Sequence, residues 1–121
     1  MEDEYKIKFY KNRGTDEEPV RDFINNLNKK TRAKIRQYLE LLRFSEGYLS
    51  EPYARHIIGK IRELRVRFAR DRYRIFYFTL SGKNIILLHV FHKNTKKTPN
   101  KEINKAIKNY KEVIRNPKLY E

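Results

Sequence analysis

The stretch from Arg62 to Phe78 most limits what this chain can fold into. It reads Arg-Glu-Leu-Arg-Val-Arg-Phe, then Ala-Arg-Asp-Arg, then Tyr-Arg-Ile-Phe-Tyr-Phe. Arg65 and Arg67 alternate with Leu64, Val66 and Phe68, the period-2 pattern of a strand with one face on a core. Ala69 to Arg72 form a polar turn, and Tyr73 to Phe78 return as a second, aromatic-rich strand. Arginines fixed on a strand present planar donor forks that match the geometry of phosphate. The structural alternative is a solvated row paired with Glu63 and Asp71.

The remaining elements fall into place around this hairpin. Glu4 to Lys11 alternate as a strand, with Tyr5, Ile7 and Phe9 on one side and Lys6, Lys8 and Tyr10 on the other. Asn12-Arg13-Gly14 end it. Thr15 or Asp16 is expected to cap a helix with Glu17, Glu18 and Pro19 in its first turn and an apolar stripe of Val20, Phe23, Ile24 and Leu27. Asn28 is its expected C-cap. A second helix from about Lys30 to Phe44 repeats the spacing at Ile35, Tyr38, Leu39 and Leu42, making a helical hairpin over a sheet. Ser45 to Ala54 read as loop, and Arg55 to Lys60 carry no clear pattern. After a turn at Leu80 to Lys83, Asn84 to Phe91 form a nearly all-apolar strand that must be covered on both faces. His92 to Lys97 form a basic loop. Thr98 is the expected N-cap, with Pro99 at the first position, of a last helix striped by Ile103, Ala106, Ile107, Tyr110 and Ile114 and ended by Asn116-Pro117. The order is β-α-α-β-β-β-α, an α+β domain spanning residues 1–121 with a twisted, mostly antiparallel sheet.

Charge bears on the partner. The formal net charge is +14, and it is uneven: residues 1–28 carry 5 basic and 7 acidic residues, the rest 24 and 8. Such asymmetry points to a polyanion, most simply nucleic acid, or to an acidic protein. Besides the strand arginines, Arg62, Arg70, Arg72, Lys97, Lys101, Lys105 and Lys108 are the expected nucleic-acid contacts. There is no Cys, and three His with no Asp or Glu at ligand spacing give no metal site; no cofactor is expected. The longest apolar run is too short to span a bilayer, and the acidic start Met-Glu-Asp-Glu-Tyr lacks a signal-peptide core, so a cytoplasmic location with no membrane partner is expected.

With Glu63-Leu64-Arg65-Val66-Arg67-Phe68, Tyr73-Arg74-Ile75-Phe76-Tyr77 and Lys93-Asn94-Thr95-Lys96-Lys97-Thr98-Pro99 in this order, the chain resembles the phage-derived HigB-like toxins of the RelE/ParE toxin–antitoxin superfamily. The resemblance covers essentially the whole chain. It implies a RelE-like fold and an mRNA interferase, a ribosome-dependent endoribonuclease that inhibits translation and usually needs no metal. It also implies a cognate antitoxin, commonly a HigA-like helix-turn-helix protein. The strand basic positions of RelE-type enzymes fall on Arg65, Arg67 and Arg74, and the loop that supplies further catalytic groups falls on His92, Lys93 and Lys96.

Those residue types suit metal-free RNA cleavage. The 2′-OH attacks the adjacent phosphorus, a base takes its proton, an acid protonates the leaving 5′-oxygen, and cations stabilise the phosphorane. Arginines supply the cations. His92 is the titratable candidate, with an unperturbed pKa of about 6.5, and Lys93 or Lys96 is the candidate acid. His89, inside an apolar strand, reads as a core histidine, and Tyr73 and Tyr77 read as core or as base-stacking rings. Two alternatives remain open: a ParE-like toxin acting on gyrase, against which the arginine set argues, and a non-catalytic RNA- or ribosome-binding module.

Overall fold

The computed structural model describes residues 4–121; the first three residues of the acidic start lie outside it. The chain runs β1 (Lys6–Phe9), α1 (Pro19–Asn25), α2 (Lys29–Phe44), β2 (Ala54–Ile58), β3 (Ile61–Phe68), β4 (Asp71–Leu80), β5 (Asn84–His92) and α3 (Asn100–Arg115), closing with a 3₁₀ turn at Pro117–Tyr120. The five strands form one sheet in the order β1-β5-β4-β3-β2. All pairs are antiparallel except β1 with β5. This is the mostly antiparallel α+β arrangement expected of a RelE-like chain. It has one strand more than the sequence shows: β2, within the patternless stretch, is an edge strand whose outer side faces water.

Alternation along the strands builds two cores. On one face Leu64, Val66, Tyr73, Ile75, Tyr77, Ile85 and Leu87 pack against Val20 and Ile24 of α1 and Ile35, Leu39 and Leu42 of α2. On the other, Phe76, Phe78, Ile86, Leu88 and Phe91 pack against Ala106 and Val113 of α3. Tyr73 and Tyr77 are thus core rings, with Tyr73 edge-on to Phe23. β5 is covered on both faces, as its composition demands. It carries a bulge: Leu87 and His89 pair with the consecutive residues Tyr77 and Phe76, leaving Leu88 as the extra residue. Gly47, in the left-handed region, lets the loop after α2 pass against β4, where a Cβ would meet the Thr79 hydroxyl.

Several helix ends differ from expectation. The Asn12 side chain accepts the N–H groups of Gly14 and Thr15, and Asp16 is left-handed, so this turn consumes the expected caps and α1 starts later, at Pro19. α1 also ends early, which frees Asn28 to cap α2 by accepting the Thr31 N–H at 2.9 Å. Thr98 does not cap α3, because its hydroxyl is committed to Glu63. Val113 occupies the α3 core position expected of Ile114, which is exposed. Tyr120 is no loose tail: it is buried, and its hydroxyl accepts the Lys11 N–H at 3.0 Å. Tyr10 turns into the α3-side core and donates to Glu112 at 3.0 Å.

Candidate functional site: an arginine cleft on the sheet

The β3–β4 register decides whether the arginines can act together. Arg65 pairs with Arg74 and Arg67 with Arg72, so all four lie on the α3 face of the sheet. The Arg65 N–H is engaged outward, to the Tyr53 carbonyl at 2.8 Å. Arg65–Arg74 is therefore the closely spaced, non-hydrogen-bonded type of pair, in which the side chains are pressed together. The two-residue turn Ala69-Arg70 sets this register, with Ala69 at φ 55°.

Like charges so close need a counter-charge. Glu63, two residues before Arg65 on the same face, is fully buried beneath the cluster. Its Oε1 accepts Arg55 Nε at 3.1 Å and lies 3.5 Å from Arg65 Nε and 3.8 Å from Arg74 Nε. Its Oε2 accepts the Thr98 hydroxyl at 2.7 Å. One carboxylate thus braces three guanidiniums from below and ties them to the start of α3. Arg74 is 7% exposed, and burial, then the neighbouring Arg65, Arg72 and Arg55, lower its pKa against the opposing pull of Glu63; an arginine keeps its charge regardless. The Nε groups of Arg65 and Arg74 are buried without a hydrogen-bond partner.

Above Glu63 opens a cleft of about 470 Å³ lined by Arg55, Arg65, Arg72 and Arg74 from the sheet, by Lys93, Lys96 and Lys97 from the loop after β5, and by Thr98 and Ile103. Lys93 is buried, and its Nζ donates to the Thr95 and Lys96 carbonyls at 2.6 and 2.7 Å, which folds the basic loop over the cleft. Burial first, then Arg74 and Arg72, lower its pKa, while Glu63 opposes. Among the described residues no group of three or more His, Asp or Glu side chains is placed to hold a metal ion.

Of the candidate catalytic residues, Arg65, Arg74, Lys93 and Lys96 meet in this cleft, and Arg67 stands exposed on the same face. His92 does not join them. It pairs with Tyr73 on the reverse face, its ring tilted against that tyrosine, with Nε2 2.9 Å from Asp71 Oδ1. Among the candidate RNA contacts, Arg72 and Lys97 line the cleft and Arg70 tips the hairpin. Arg62 also faces the reverse side, donating to the Leu49 carbonyl at 2.7 Å beneath the Tyr48 ring. Lys101, Lys105 and Lys108 form an exposed face of α3; Lys108 borders a separate groove with Arg13 and Arg115. His89 is packed between Phe76 and Phe91, with Nε2 2.6 Å from Glu102 Oε1. The sequence reading had no role for Arg55 and treated Glu63 only as a surface ion-pair partner. The signal for Glu63 was its parity with Arg65 and Arg67.

A sheet with helices on both faces and a cleft lined by seven Arg and Lys side chains over one buried carboxylate define an α+β protein with a strongly cationic cleft. The chain belongs to the family described as phage-derived protein Gp49-like (DUF891), whose model matches residues 22–111. That span holds every residue of the cleft and leaves out β1, the closing turn, the start of α1 and the end of α3. The family is associated with RelE/HigB-like toxins of toxin–antitoxin systems, a context that brings a partner antitoxin. A search of curated proteins finds no match. Among the described residues no helix is long and apolar enough to cross a membrane.

Proposed function

We propose that the chain is the toxin of a toxin–antitoxin pair and cleaves mRNA at the ribosome, with a HigA-like helix-turn-helix protein as antitoxin. The observation that carries this reading is the cleft, where seven Arg and Lys side chains converge over a single buried carboxylate and the Nε groups of Arg65 and Arg74 make no hydrogen bond among the described residues. As the 2′-OH attacks phosphorus, negative charge grows on the phosphorane oxygens, and donors fixed beforehand stabilise it most. Glu63 holds the arginines ready without reaching the RNA. The products are a 2′,3′-cyclic phosphate or 3′-phosphate and a 5′-OH, and the need for a 2′-OH selects RNA over DNA.

In this reading Lys93 or Lys96, which line the cleft, protonates the leaving 5′-oxygen. The lowered pKa of Lys93 makes its ammonium the better donor. Among the described residues lining the cleft there is no carboxylate or imidazole. The group that takes the 2′-OH proton is therefore His92, reached around the end of the sheet, or a group of the ribosome. The same observation favours a second reading, a non-catalytic RNA-binding module.

The test is to induce the chain in a bacterium and map mRNA 5′ ends. Discrete in-frame cuts are expected, reduced about 100-fold by Arg74→Ala in a protein that still folds. His92→Ala then decides between the two proton acceptors. RNA bound but uncut favours the binding module, and uncut mRNA with a DNA-damage response favours gyrase.

A further inference from the structure

We infer that the Arg65–Arg74 pair serves two compartments, and that the second, at the open edge of β3, is a nucleobase subsite. The cleft lies on one side of the pair. On the other a hollow of about 240 Å³ is lined by Tyr38, Pro52, Tyr53, Arg65, Arg67 and Arg74. β2 ends at Ala54, which pairs with Leu64, and the residue before it, Tyr53, accepts the Arg65 N–H. By alternation Ala54 shares the face of Leu64, so Tyr53 shares that of Arg65 and Arg74. The three side chains form one row across neighbouring strands, with Tyr53 about 4.8 Å of backbone spacing from Arg65.

Among the described residues no strand covers β3 beyond that point. Arg67, two residues on from Arg65, turns its own N–H and C=O to the same open side. Tyr53 is 48% exposed, and Tyr38 of α2 lines the hollow with it. An isolated exposed tyrosine is ordinary surface. This one shares its hollow with the guanidiniums of Arg65 and Arg74, whose buried Nε groups lie near Glu63 without making a hydrogen bond, and so sits where the base of a nucleotide would lie when its phosphate rests on Arg65 and Arg74. Aromatic faces stack on any base, and the Arg67 backbone adds one donor and one acceptor for a base edge. The only carboxylate near Arg65 on this side among the described residues, Glu51, lies 3.9 Å from Arg65 Nη1 and is exposed, so a phosphate displaces it at little cost. The ligand class is a ribonucleotide, base in the hollow and phosphate on the arginine pair.

The inference rests on the phosphate-binding reading above, and one titration separates the two. Inorganic phosphate, ribose 5-phosphate and adenosine 3′-monophosphate are each titrated into the protein at low salt and followed by backbone amide shifts. The nucleotide is expected to bind about tenfold tighter than ribose 5-phosphate. Tyr53→Ala removes that advantage and leaves inorganic phosphate binding as it was, while Tyr53→Phe keeps it. Tyr53→Leu, which retains apolar bulk, serves where the alanine variant unfolds and shows the same loss. Equal binding of nucleotide and ribose phosphate, or an advantage that survives Tyr53→Ala and Tyr53→Leu, overturns the subsite and leaves the phosphate clamp standing. Binding of none of the three overturns both.

Discussion

The two faces of the sheet are built from the same strands by opposite means. The α1/α2 face is held by an apolar core: Leu64, Val66, Tyr73 and Ile75 at the hairpin end are buried like Ile85 and Leu87 farther along, and Arg62 and His92 stand only at its margins. The α3 face begins the same way, with Phe76, Phe78, Ile86 and Leu88, and then changes character toward the Ala69-Arg70 turn, where Arg65, Arg67, Arg72 and Arg74 replace it. Two adjacent residues of β3 show the contrast. Glu63 and Leu64 are both fully buried, one under arginines and one under α2. Burial alone therefore says nothing about a residue's task. The apolar face is held by contacts that need nothing from outside the chain, whereas the arginine face is held by one carboxylate shared among more cations than it can satisfy.

Truncating that adjacent pair is the strongest way to break the contrast. Leu64→Ala is expected to cost about 2–5 kcal/mol of stability, read by denaturant unfolding, with anion binding intact. Glu63→Ala removes the counter-charge from beneath Arg55, Arg65 and Arg74 and is expected to cost about 3–5 kcal/mol. The two losses differ in their cure. Added phosphate should stabilise Glu63→Ala more than the wild type, because the unbraced arginines bind the anion more tightly, while Leu64→Ala gains only what the wild type gains, by linkage to the state that binds it. Equal responses to phosphate would mean that the arginine face is merely another core.

A smaller effect lies in the turn that sets the arginine register. Ala69 at φ 55° sits where glycine is at ease. Ala69→Gly is expected to raise stability by about 0.5–1 kcal/mol without moving the Arg65–Arg74 pair, checked by thermal unfolding and by unchanged cleavage.

The smallest effect follows pH. Burial lowers the pKa of His89, with Glu102 opposing and Lys105 adding to the fall. The folded chain then holds this proton less tightly than the unfolded one. The stability His89 contributes is present above about pH 6.5 and is lost as pH falls through the lowered value. His89→Gln should flatten that decline below about pH 6.5. The same slope in both proteins would assign the decline to other groups.

Where a strand is half-buried, the sequence shows it. The alternation around Arg65 placed β3 and β4 and put the arginines on one face, because the solvent boundary sorts side chains two by two. β2 escaped because Arg55 and His56 interrupt an edge strand that needs little apolar surface. His92 illustrates the limit of counting. Parity along an unbroken β5 would turn it toward the arginines, but the extra residue at Leu88 inverts every later position, sending His92 to the reverse face and Lys93 into the cleft. Arg62 was grouped with its neighbours by charge, although parity already separated it from Arg65. Glu63 and Thr98 are far apart in sequence, and only the docking of α3 joins them.

The parallel pairing of β1 has a consequence for how the chain is made. β2 to β5 form a meander of local hairpins that can assemble in the order of synthesis. β1 has a single partner, β5, and its register joins Lys6 with Asn84 and Phe9 with Leu87. β1 is thus made well before its partner, and until the two pair, the apolar start of β5 is a bare edge inviting pairing with another chain. β1 is short and carries two lysines, which suits a strand that must wait alone and then close the sheet against strangers.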